Sequence, residues 1–198
     1  MKNRKSPVGQ YIFDGMGDTE DALDYVDDFL PLIGEVVLFF NGLEAEIDNM
    51  LCFQFSDRSD QLGLLVLHKM MYSTKVELFE KMFLEKIQWL ELDVAKFKAL
   101  VSELRQCGTL RNRIVHANWE YTDESGYTHV RFTFEKNGLQ HELTQFSVES
   151  LRLVIQRIIG ARESLGVLSE EIDWQIQLEN QKSAERIRDL KAKEKPSA

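Results

Sequence analysis

The chain of 198 residues holds only two cysteines, three prolines and four histidines. Cys52 and Cys107 have no companions at metal-ligand spacing, so both read as reduced thiols in the core, as neither a disulfide nor a zinc site. No glycine loop that cradles phosphate is present, and neither is a His-Glu-x-x-His zinc helix or a serine elbow. Glu44, Glu46 and Asp48 lack the partner histidines or glycine-turned loop of a cation site and read as a solvated helix face. Long apolar runs are missing too. VVLFF (36–40) and LGLLVL (62–67) fall far short of a membrane span, and the basic start MKNRKSPVGQYIFDGM has no apolar stretch of a secretory signal behind it. The expectation is a cytoplasmic protein that needs no membrane, metal or cofactor.

What is present suits one domain with a real core, at 43% hydrophobic and 29% charged residues. The net charge of −9 argues against broad nucleic-acid affinity, because Lys and Arg supply most non-specific phosphate binding. The charge is uneven, however. Residues 14–60 carry a series of acids with Arg58 as their only base, whereas Arg105, Arg111 and Arg113 cluster against Glu103.

Residues 1–17, with Pro7, three glycines and no periodicity, read as a poorly ordered arm. Asp18 or Thr19 is placed to cap a short acidic helix, and Pro31 to open a long one to about Phe55. The residues 57–60 make a turn, and Leu62 to Met71 predicts a short buried helix. Thr74-Lys75-Val76-Glu77 reads as a capping box for a helix to about Trp89. Asp93 caps another, which runs to about Ala117. The period then changes to two over 119–122, 127–135 and 139–146, with Asn137-Gly138 as a hairpin signal. His129 and His141 fall in these strands without metal-ligand spacing. Ser147 caps a closing helix that Gly160 and Gly166 weaken, and Ser169 starts a polar helix and charged tail. The domain is thus drawn at 18–168, with an insertion at 119–146 and a polar extension at 169–198.

One stretch, LRNRIVHANW from Leu110 to Trp119, stands out. It packs Arg111, Asn112, Arg113 and His116 into about one and a half helical turns. Asn112 and His116 are four apart and share a face, with Arg111 about 100° round from Asn112. An arginine is a planar cation that can hold phosphate through two hydrogen bonds. Histidine is the residue type that exchanges protons near neutral pH, and asparagine both donates and accepts.

Arg111-Asn112-x-x-x-His116 resembles the Arg-polar-x3-His signature of the HEPN superfamily, small helical domains of which many are metal-independent ribonucleases. The resemblance covers roughly 20–168 and is most specific at 110–119. It implies a mainly α fold, a HEPN-like helical bundle with a small antiparallel β-hairpin insertion before the closing helix. It also implies RNA cleavage by attack of the 2′-hydroxyl on the adjacent phosphate, with His116 as acid/base, Arg111 on the phosphate and Asn112 orienting either. Arg113 and Arg105 are the candidate RNA contacts. A homodimer with a shared cleft is implied, as is a toxin or phage-defence role under an antitoxin or other regulatory partner. The alternative is a catalytically inactive HEPN-like module that dimerises or binds a ligand.

Overall fold

The computed structural model describes residues 1–8, 26–55, 61–123 and 125–193. The expected cap at Asp18 or Thr19, the turn over 57–60 and the end of the charged tail lie outside them. Among the described residues the protein is mainly helical, with one small antiparallel sheet. Its helices are α1 (Leu30–Phe55), α2 (Gln61–Leu67), α3 (Tyr72–Trp89), α4 (Val94–Val115) and α5 (Val148–Lys193). Its strands are β1 (Lys2–Pro7), β2 (Asn118–Thr122), β3 (Tyr127–Glu135) and β4 (Gly138–Gln145).

Local chemistry explains where these elements begin. Pro31 lies in the first turn of α1, where its missing N–H costs nothing. Asp93 caps α4 by accepting the N–H groups of Ala95 and Lys96 at 2.8 and 3.0 Å. Ser147 accepts the Ser150 N–H at 3.1 Å while Ser150 Oγ accepts the Ser147 N–H at 2.9 Å, a reciprocal cap on α5. The expected box at Thr74 is not the start of α3. That helix begins a turn earlier at Tyr72, with no side-chain cap at Met71.

Two further expectations are corrected. The closing helix and the polar helix expected to start at Ser169 are one: α5 runs unbroken through Gly160, Gly166 and Ser169 for 46 residues. Each glycine costs about 1 kcal/mol in a helix, whereas each fully buried Leu or Ile contributes about 1.5–3 kcal/mol. The buried series Ala161, Leu165, Leu168 and Ile172 therefore outweighs both. Nor is α2 a buried helix: Leu62, Leu64, Leu65 and Val66 are exposed, and Leu67 and Gly63 are its buried positions. Gly63 lies so close to α1 that a Cβ there would stand 2.9 Å from the Cys52 Cα.

The chain forms two compact units, one from Met1–Ala45 with Glu103–Arg162, the other from Glu46–Ser102 with Glu163–Ala198. The second contains the stacked pair Phe79–Phe83, with ring centroids 4.5 Å apart, and Phe97 at 5.8 Å from Phe79. In it Asp48 is no solvated acid. It accepts a 2.7 Å ion pair from Lys75, whose side chain is almost wholly buried.

The first unit contains the sheet, in the order β1-β4-β3-β2. Residues 2–7, expected in a poorly ordered arm, pair with β4 from Lys2↔Gln145 to Pro7↔Gln140. The strand is exposed and polar, so it has no apolar alternation to read; side chains hold it. Arg4 donates to Asp123 at 2.6 Å and lies 4.4 Å from the Tyr127 ring centroid, and Lys5 pairs with Glu135. Pro7 can occupy the end of an edge strand because no ladder bond is lost there. The inserted structure is therefore part of a four-stranded sheet rather than a hairpin alone. Its turn centres on Lys136-Asn137, with Glu135 opposite Gly138 at φ 95°.

Candidate active site

Arg111, Asn112 and Arg113 lie near the end of α4 and His116 directly after it, all within the first unit. Here α4 is anchored on its inner side by buried Leu104, Cys107 and Ile114. Arg157 on α5 forms an ion pair with Glu103. Burial, with the Glu103 charge adding to it, pushes the Cys107 thiol up to about 12, so it is an inert core group and no nucleophile.

The helix stops at Val115, two residues short of the expected Ala117, because Asn118 already enters β2. His116 still donates its backbone N–H to the Asn112 carbonyl at 3.1 Å. The Trp119 indole turns back and donates Nε1–H to the Ile114 carbonyl at 3.0 Å, answering a C-terminal acceptor that the helix itself leaves open. That indole is fixed in turn by Phe146 and Phe29, at 4.8 and 5.7 Å between ring centroids.

The residues singled out from sequence separate into two groups. Asn112 and His116 are exposed, and Arg111 is half-buried beside them. Arg111 Nη1 donates to Asn112 Oδ1 at 2.9 Å, and its guanidinium carbon lies 5.3 Å from the Phe40 ring centroid. A hydrogen bond and an aromatic ring thus hold the planar cation in place. The His116 ring has no hydrogen-bond partner among the described residues. Arg105, six residues before Arg111, is exposed, and its carbonyl accepts from Thr109 Oγ1 at 3.0 Å.

Arg113 faces elsewhere. It is turned onto the sheet, where Nη2 pairs with Glu142 Oε1 and donates to Asn3 Oδ1 at 3.1 Å. Glu142 also accepts from Arg131 Nε at 2.6 Å. Burial alone would raise the Glu142 carboxyl, but the Arg131 hydrogen bond and the charges of Arg113, Arg131 and Lys5 outweigh it and hold it below the usual range. The expected RNA contact at Arg113 is therefore occupied within the protein. Glu142 and Asn3 escaped the sequence reading, although Glu142 was findable: a two-residue turn at 136–137 sets it opposite Arg131.

A second cluster lies on the sheet. His129, Phe132 and His141 form a triangle with ring centroids 4.7 to 5.2 Å apart. Strict alternation puts His129 and Phe132 on opposite faces. An irregularity between His129 and Arg131 leaves Val130 unpaired and brings them together. Both imidazoles are buried, with His129 Nε2 and His141 Nδ1 unbonded among the described residues. No group of three or more His, Cys, Asp or Glu side chains among the described residues is arranged to hold a metal ion. No helix among them is long and apolar enough to cross a membrane.

Comparison of the chain with models of known protein families, with curated proteins and with solved structures found no match.

Proposed function

We propose that the first unit is a metal-independent endoribonuclease of HEPN type, acting through Arg111, Asn112 and His116. The observation that carries this reading is their placement: Asn112 and His116 are exposed with Arg111 half-buried beside them at the end of α4, while Arg113 is turned to the sheet.

The reaction asks for little else. The ribose 2′-oxygen gives up its proton and bonds to the neighbouring phosphorus. The bond from phosphorus to the 5′-oxygen breaks, and that oxygen takes a proton. The products are a 2′,3′-cyclic phosphate and a 5′-hydroxyl. His116 serves the proton transfers, its ring standing in solvent where an RNA backbone can reach it. Arg111 offers a fixed cation to the negative charge that grows on the phosphate oxygens. Asn112, bonded to Arg111, orients that cation or a substrate oxygen. A helix end that points its carbonyls outward is not itself an anion site, so attraction for phosphate rests on Arg111.

In this reading two copies of the chain associate so that their motif turns share a cleft, which doubles a cation count that is low in each. Arg105 flanks the site as a further RNA contact. A toxin or defence role, restrained by a partner protein, extends the same resemblance. A second reading, a non-catalytic module that dimerises or binds a ligand, draws on Arg111 already being engaged by Asn112 and Phe40.

The test is cleavage of mixed cellular RNA in EDTA, beside Arg111→Ala and His116→Ala. The expected outcome is cutting by the wild type alone, leaving cyclic-phosphate ends, with a loss of at least roughly 100-fold in each variant. Inactive wild type with variants that melt early would favour the non-catalytic module.

A further inference from the structure

The motif contains a residue that faces away from the candidate chemistry yet is the most firmly held of the group. Arg113 lies between Asn112 and Ile114, and successive residues on a helix are turned by about 100°. On that wheel Arg111, Asn112 and His116 span one arc, and Arg113 projects outside it. Whatever fixes Arg113 therefore fixes the direction in which the other three point.

The holding group is well defined. Glu142 is buried and has both carboxylate oxygens in use, Oε1 by Arg113 and Oε2 by Arg131 at 2.6 Å. Asn3 adds a 3.1 Å acceptor from β1, and its Oδ1 is itself held by Thr144 Oγ1 at 3.0 Å. The neighbouring carbonyl, that of Ile114, is held by Trp119. Two consecutive residues of α4 are thus fastened from the sheet side, one by charge and one by an indole.

We propose that Glu142 and Asn3 are positioning residues, which act through Arg113 to hold the last turn of α4 at one rotation and so aim Arg111, Asn112 and His116. The catalytic consequence rests on the ribonuclease reading; the fastening does not. The sheet then has a defined task, since β4 supplies Glu142 and the edge strand β1 supplies Asn3. Misplacement by about 1 Å from a distant change can cost on the order of 100-fold in rate, so a loosened turn is visible in kcat.

The experiment uses the full chain with Glu142→Gln, Asn3→Ala and, as a control, Arg131→Ala, which removes the other partner of Glu142 but leaves the Arg113 contact. Amide hydrogen exchange over residues 110–117 and the His116 ring resonances are followed alongside kcat and KM for RNA. Glu142→Gln is expected to lower kcat roughly 10- to 100-fold with KM changed less than about threefold. It should also speed exchange at 113–116 and shift the His116 resonances. Asn3→Ala should act in the same direction and less, and Arg131→Ala should leave all three readouts near wild type. The proposal is overturned if Glu142→Gln and Asn3→Ala leave exchange and the His116 resonances unchanged, or if activity falls only in step with the folded fraction. If Glu142→Gln does not fold, Asn3→Ala on the exposed edge decides by the same outcomes. A wild type that cuts no RNA sinks the ribonuclease reading alone, because exchange and the ring resonances still decide the fastening.

Discussion

Glu91 follows α3 at φ 56°, a left-handed conformation that suits glycine. It is held there by a C-terminal cap, in which Leu92 N–H donates to the Ile87 carbonyl at 3.0 Å and Glu91 N–H to the Gln88 carbonyl at 3.2 Å. Glu91→Gly relieves about 1–2 kcal/mol of strain and restores part of that to the entropy of the unfolded chain. The expected net gain is about 0.5–1 kcal/mol, read as a melting midpoint higher by roughly 1–4 °C in thermal denaturation. An unchanged or lower midpoint would mean that the glutamate side chain compensates. At this scale the motif was legible: the 3.6-residue period alone puts Asn112 and His116 together and Arg113 on another side. The partner of Arg113 was not, because Asn3 and Glu142 lie far along the chain and only folding brings them to it. The misreading of Asp48 has the same cause. A helix face looks solvated in sequence until a buried Lys75 from another helix arrives on it.

The sheet is the element in which sequence and structure diverge most. Its three later strands were readable from alternation and from the turn, within a residue or so at each end. Two features were not: β1, an edge strand of polar residues whose pairing partner lies more than a hundred residues on, and the irregularity at Val130 that regroups the histidines. The regrouping has a pH consequence. Burial lowers the pKa of His129, with the His141 charge adding to the effect, and burial lowers that of His141. An unfolded chain takes up these protons near the ordinary imidazole value of about 6.5, and the native sheet resists. Stability therefore holds above that value and falls as pH drops from about 6.5 towards the lowered values. Glu142 extends the trend, since its contribution is present above about 4.5 and is lost as pH falls through its own lowered value. The urea midpoint should drop between pH 7.5 and 5.5, and a His129→Phe, His141→Phe double variant should flatten that step. An equal step in the double variant would assign the acid sensitivity to other groups.

For the whole molecule, a net charge of −9 opposes broad affinity for an anionic polymer. The mainly helical fold was legible because buried stripes in α1, α3 and α4 follow the helical period, whereas the division into two units leaves no mark in composition. If the ribonuclease reading holds and Arg111 supplies the main phosphate contact, binding to single-stranded RNA should lose affinity only gently with salt. The expected slope of log K against log salt is about −1 to −3, as for a handful of neutralised phosphates. A slope steeper than about −5 in filter binding would reveal a larger cationic surface than Arg111 and Arg105 provide. The pairing of β1 with β4 has a consequence in time as well as in space. A ribosome releases β1 long before β4, and α4 some thirty residues before Glu142, so the nascent chain carries Arg111 and His116 before either grip on Arg113 exists. The last turn of α4 is thus fastened only after residue 142 has emerged and β1 has paired with β4.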